Sequence, residues 1–403
     1  MILIINKHRM KQRLLLLTLL ICFSLSAFSQ NEQQLKNTSY KIAVFAPLYL
    51  DSLFTENTYL LGNKFPRFAL QGLDFIQGAQ IALDSSLAPK EKIEVTFFDS
   101  KSTTNSVQSL INSNKLNDVQ LIIGSVRDEE FLQLASFAQQ RKIPFVSVTY
   151  PNDGGISANP YLIISNSTLK SHCEAIYSLL IQNHGTDNIL YARQTGSQED
   201  RVAGYFNNIN KPDGKQLLKI KTINIDSNFN VIKNSLDSNK KNIIIGGSLD
   251  EDFATNLATS LNGVKKKYNI TLIGMPNWNG FNSFSINKKE LIKDFPIYYT
   301  SPYFNNKSDK YSKILQDAYL IQYKGYPSDL AYKGFESMLL FPAILMNYGS
   351  DFMKHLNDSN NNIFCEYNFM PVYNKKASGT PDYIENKHLY FLKRLNGITT
   401  KAW

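Results

Sequence analysis

The stretch LIIGSVRDEEF, Leu121 to Phe131, joins a buried-looking apolar run, a Gly-Ser turn and a burst of charge. The apolar residues predict a strand ending at Gly124, and the charged residues after it predict a helix opening near Ser125. A strand that hands its chain to a helix start presents free backbone N–H groups, which suit an anionic or acceptor group. Other reactive residue types are present but poorly spaced for catalysis. His172 and Cys173 are neighbours, yet adjacent helical residues point about 100° apart and do not readily share a proton. GGSLDED, Gly246 to Asp252, follows an apolar run but is not the three-glycine dinucleotide fingerprint. There is no P-loop, and His184, His355 and His388 are scattered without metal-ligand spacing. The expectation is a binding protein with no enzyme activity, no cofactor and no metal.

The N-terminus predicts export. Lys7, Arg9, Lys11 and Arg13 precede an apolar core from Leu14, and the small residues Ala27 and Ser29 are spaced for signal-peptidase cleavage. Residues 1–29 are therefore expected to be a cleavable leader, and the periplasm is the expected location. With the leader removed, 39 basic residues face 34 acidic ones. That mild excess, spread through loops such as SNKKN and VKKKYN, reads as solvated surface and gives no reason to expect nucleic acid. Cys173 and Cys365 remain, either as one bridge or as two buried thiols.

These residues must be positioned by a regular alternation of elements. KIAVFAPLYL, KIEVTFFDS, VQLIIGS and KIPFVSVTY predict strands, separated by helices such as FALQGLDFIQGAQIALDSS and one over residues 129–140. After NPYLIIS, a second alternating set runs through NILYARQ, KIKTINI, KNIIIGGS and NITLIGM. Strands alternating with helices mean βαβ units and parallel sheets, here in two halves with a cleft between them. In the tail, PSDLAYKGFESMLLFPAILMNYG predicts a helix from Pro327 to Gly349, kinked or ended at Pro342. YNFMPVYN and HLYFLKRLNG alternate like an antiparallel pair.

The order KIAVFAPL, LQGLDFIQGAQIALD, IEVTFFDSKS, LIIGSV, IPFVSV and NPYL resembles the type 1 periplasmic binding-protein fold, shared by branched-chain amino acid binding proteins and receptor ligand-binding domains. IIIGGSLDEDFATNLATSL, LIGMPNW and YPSDLAYKGFESMLL resemble its second lobe and return helix. The resemblance covers nearly the whole mature chain and implies an α/β fold of two Rossmann-like lobes with parallel central sheets. A three-strand hinge would join the lobes, and ligand would close them. Lobe one is expected over 41–152 plus about 281–347, and lobe two over about 153–280 plus 348–403. The resemblance implies that Ser125 and Thr149 hold a ligand carboxylate and that Asp250 or Glu251 holds an ammonium. SVTYPNDGG, with Tyr150 and Asp153, departs from the family pattern, and YARQTGSQED lacks the family's aromatic residue. The second departure weighs against an α-amino acid.

In open parallel sheets, ligands sit beyond the carboxyl ends of the strands. The candidate contacts there are Ser125, Thr149 and Tyr150 from lobe one and Asp250 from lobe two, with Trp278 and Tyr303 as stacking surfaces. Two readings follow. The first is a monomeric solute-binding protein that captures a small polar, amino-acid-like molecule for a membrane permease of the ABC type or for a receptor. The second is a ligand-free module of the same fold used for protein interactions in the cell envelope.

Overall fold

The computed structural model describes residues 39–56, 58–62, 65–88, 92–358, 362–374 and 379–402. The leader expected at 1–29 lies outside them. No helix of the described residues is long and apolar enough to cross a membrane.

The first half of the chain builds one parallel sheet. Its strands are β1 (Tyr40–Ala46), β2 (Ile93–Asp99), β3 (Leu121–Gly124), β4 (Phe145–Ser147) and β5 (Leu162–Ile164). Helices α1 (Arg67–Asp84), α2 (Val107–Asn112) and α3 (Asp128–Arg141) connect them. Strands β1, β3, β4 and β5 read as apolar runs because helices cover both faces of a parallel sheet, whereas the edge strand β2 alternates. Ile42 to Ala46 and Leu121 to Ile123 are buried accordingly. The second sheet repeats the plan with β6 (Asn188–Arg193), β7 (Ile220–Asn224), β8 (Asn242–Gly246), β9 (Ile270–Ile273) and β10 (Ile297–Ser301). Its helices are α4 (Leu169–Asn183), α5 (Ser197–Asn210) and α6 (Glu251–Asn262).

The remaining elements are shared between the halves. Helices α7 (Lys310–Tyr323) and α8 (Asp329–Tyr348) return to the first lobe, followed by β11 (Phe369–Val372) and β12 (Tyr383–Asn386). Strands β13 (Tyr390–Leu395) and β14 (Ile398–Lys401) end the chain in the second. The first sheet therefore runs β11-β12-β5-β4-β3-β1-β2 and the second β14-β13-β10-β9-β8-β6-β7. The chain crosses between lobes three times, after β5, β10 and β12.

The boundaries expected from the sequence shift accordingly. Strand β5 lies within 153–280 but pairs with β4 in the first sheet, and β10 lies within 281–347 but pairs with β9 in the second. The two tail stretches do not pair with each other. Strand β11 pairs with β12, and β13 pairs with β10 and β14. Alternation shows that a residue run is half-buried; it carries no information about which sheet edge lies nearest. Pro342 sits inside α8 and does not end it.

Helix α8 seals the first lobe by lying very close to α1. A β-carbon at Gly334 would stand 2.0 Å from the Phe75 carbonyl oxygen, and one at Gly78 would stand 1.9 Å from that of Ala331. The two glycines let the backbones meet.

Candidate functional site

The three crossings make a hinge tied by one acid. Glu385, fully buried at the end of β12, accepts from the Thr168 backbone N–H at 2.6 Å and from Ser171 Oγ at 2.8 Å. Its other oxygen meets Lys387 Nζ at 2.8 Å. The third crossing is thereby fastened to the first, at the start of α4. The second crossing is fastened through His172, whose Nδ1 lies 2.7 Å from Thr300 Oγ1 on β10. Burial holds the His172 pKa down to about 3, although the Ser167 carbonyl beside it favours the charged form. The ring is therefore neutral over the ordinary pH range. Its neighbour Cys173 is buried and its thiol is pushed up to about 12. The two do not form a nucleophile and base: one braces the hinge and the other fills the core of the second lobe. Cys365 is likewise buried, and both thiols are free.

A cavity of about 390 Å³ opens at this hinge. Tyr150, Asn152, Asn166 and Lys333 wall it from the first lobe, and Leu169, Arg201, Leu249 and Asn277 from the second. Thr300 to Tyr303, the end of β10 and the crossing after it, form part of its lining. Local bonds set these side chains. Asn166 Nδ2 donates to the Thr149 carbonyl at 2.7 Å, and Asn277 Nδ2 to the Leu249 carbonyl at 2.6 Å. Ser301 Oγ donates to the Tyr303 carbonyl and accepts from its N–H, fixing the turn that carries the Tyr303 ring. A second cavity, about 370 Å³, lies beside the first over the carboxyl ends of β1 to β4, and Tyr150 and Pro151 line both.

The six residues singled out by sequence separate into groups. Ser125 and Thr149 are together, with Oγ and Oγ1 3.1 Å apart, but they line the second cavity and not the one at the hinge. Helix α3 begins only at Asp128, so Ser125 does not cap it. Asp128, Glu129 and Glu130 fill its first turn, which opposes an anion there. Tyr150 stands between the cavities, its ring edge-on to Phe131 and its hydroxyl donating to Asp128 at 3.3 Å. Burial, then the Asp128 charge, raise its pKa and keep it a phenol. Tyr303 lines the hinge cavity, and burial raises its pKa strongly.

The other two are structural. Asp250 is exposed and caps α6, accepting from the Phe253 N–H at 2.7 Å. Glu251 accepts twice from Ser283, at 2.8 Å each. Trp278 is 0% exposed. Its ring lies against Gly246 and Gly274, where an added β-carbon would stand 2.4 and 2.1 Å from it, and its Nε1–H donates to the Ser248 carbonyl. It offers no face to a ligand. The two strand-end glycines were the sequence signal for this seat.

Sequence reasoning missed Lys333, Arg201 and Leu249. For Lys333 a signal existed: it is the only charge between Ala331 and Phe335 in a helix stretch whose other residues are all buried. Among the described residues no group of three His, Cys, Asp or Glu side chains is placed to hold a metal ion.

No protein-family model matches the sequence, and no curated protein does. Solved structures do resemble it. A Rhodospirillum rubrum protein described as a branched-chain amino acid ABC transporter aligns over 90% of this chain and 99% of its own, with TM-score 0.63 and 12% identity. An ABC transporter substrate-binding protein of Desulfitobacterium hafniense, in complex with Leu, gives 0.55 and 12% over 90% and 99% of the two chains. A branched-chain amino acid ABC transporter periplasmic ligand-binding protein of Burkholderia xenovorans gives 0.56 and 11% over 91% and 93%. The chain has the type 1 periplasmic binding-protein fold; at these identities the likeness speaks for the fold alone.

Proposed function

We propose that this chain is an exported solute-binding protein that captures a small molecule between its lobes for an ABC-type transporter or a sensor. The observation that carries the reading is the hinge cavity, walled from both lobes and of a volume ordinary for small-ligand sites. A ligand that touches both walls favours the closed arrangement by the contacts it gains there. In this reading Tyr150 and Tyr303 meet the ligand directly, while the Ser125–Thr149 pair steadies the strand turns from which Tyr150 projects.

A broad thermal-shift screen tests it. Specific ligand raises the melting temperature by mass action, about 2.7 kcal/mol of stabilisation at a hundredfold excess over Kd. Small-angle scattering should then show a smaller radius of gyration with ligand present. A cluster of exposed apolar side chains, Leu60, Leu61, Phe65 and Phe68, favours the second reading, an envelope interaction module. A screen without a single hit, with pull-down partners lost on replacing these residues by Ser, would establish that reading in place of the first.

A further inference from the structure

Lys333 is out of place unless something else sits beside it. It lies one turn into α8, half-buried between Tyr332 and Gly334, and it lines the hinge cavity. Half-buried ammonium groups are normally paired with a carboxylate. Among the described residues Lys333 makes no ion pair. It faces the Tyr303 ring, with Nζ 6.0 Å from the centroid. The positive end of the α8 dipole adds to the cost of a cation there. Burial pulls the Lys333 pKa down, opposed by Cys365, Asp329 and Glu336.

The acids nearby are already engaged. Glu336 is buried and accepts from the Phe364 and Cys365 N–H groups and from the Tyr367 hydroxyl, each at 2.9 Å. Asp329 lines the rim of the cavity and pairs with Lys307 at 2.9 Å. No other carboxylate lines the cavity, whereas Arg201 faces it from the second lobe and among the described residues has no ion pair. The rest of the wall is uncharged: Leu169, Leu249, three prolines and two tyrosines supply apolar surface, and four asparagines, the neutral His172 ring and three hydroxyl side chains supply polar groups.

Resting on the solute-binding reading above, we infer that the cavity takes an organic carboxylate with an uncharged, largely apolar body, and that Lys333 receives the carboxylate. An α-amino acid fits less well, because its ammonium would face two cations and no free acid. Lys333 supplies the anchor from the first lobe, Arg201 draws the anion from the second, and Leu169 and Leu249 enclose the body. The carboxylate replaces the missing partner of a half-buried charge, so binding stabilises both ions together.

The test uses matched triplets on the full mature chain: isocaproate, isocaproamide and leucine; hexanoate, hexanamide and norleucine; hydrocinnamate, its amide and phenylalanine. Calorimetry should find at least one acid that binds about ten- to a hundredfold more tightly than its amide and its amino acid, the range set by one charge-assisted hydrogen bond. Lys333→Met should abolish the preference for acid over amide, and Lys333→Arg should keep most of it. The comparison on the unaltered protein stands even where a variant fails to fold. Equal binding of acid and amide, tighter binding of the amino acid, or a neutral sugar or nucleoside as the best hit would overturn the inference and leave the solute-binding reading intact. Absence of binding by all nine compounds would overturn the inference, and a broad screen that also finds no neutral ligand would overturn both.

Discussion

His172 makes the stability of the second lobe depend on pH, in a range toward which burial also raises the pKa of Glu336 from its ordinary 4.5. Its ring is buried against Thr300 and held neutral, with a pKa of about 3 against an ordinary value of 6.5. Between those values the unfolded chain binds a proton that the native state does not, so stability rises with pH across the window and is lost as pH falls. At pH 5 the unfolded imidazole is almost fully protonated, about 1.5 pH units below its pKa, which corresponds to roughly 2 kcal/mol lost relative to neutral pH. The lowered carboxylates Glu251 and Asp358 have ordinary values of 4.5 and 3.8 and lose their contribution only below those. The assay is urea unfolding at several pH values between 5 and 7.5, on the wild type and on His172→Asn. That variant keeps a polar atom near the Nδ1 position and does not titrate. The wild type should lose about 2 kcal/mol more than the variant over the window, since the Glu336 contribution is common to both. Equal changes in both proteins would refute a buried neutral imidazole at the hinge.

Three further expectations separate structural roles from binding ones. Asp250→Ala removes the α6 cap and should cost about 1 kcal/mol of stability with affinity unchanged, read by melting and calorimetry together. Gly334→Ala forces a β-carbon into the Phe75 carbonyl and should destabilise the first lobe by about 1–3 kcal/mol, read by denaturant unfolding; a neutral result would mean that α1 and α8 separate easily. Glu385→Ala removes the acceptor of Ser171 and the Thr168 N–H and leaves Lys387 with Glu174 as its carboxylate partner; it should cost about 3 kcal/mol, with hydrogen exchange rising first at the start of α4.

Local pattern carried the fold a long way. Apolar runs such as IIIG at Ile243–Gly246 are strands because both sheet faces are covered, and PSDLAYKG opens a helix capped by Ser328. The tail was less legible because β12 and β13 lie only three residues apart yet enter different sheets. That depends on the hinge and not on periodicity. For the site, Tyr150 and Tyr303 follow from strand-end topology, and both line the hinge cavity. Trp278 and Asp250 share that topology, but a pair of glycines draws one into the core and a helix start engages the other. Lys333 is invisible to strand-end reasoning because it comes from the returning helix, which reaches the cleft only after the second crossing.

The most direct measurement is a crystal structure of the protein with the tightest-binding compound from the screen. Placement in the hinge cavity predicts ligand density between Tyr150 and Leu249, contacts from both lobes, and an acidic group within hydrogen-bond distance of Lys333 Nζ. Density confined to the outer surface, or to the Ser125–Thr149 cavity with the hinge cavity holding only water, would contradict it.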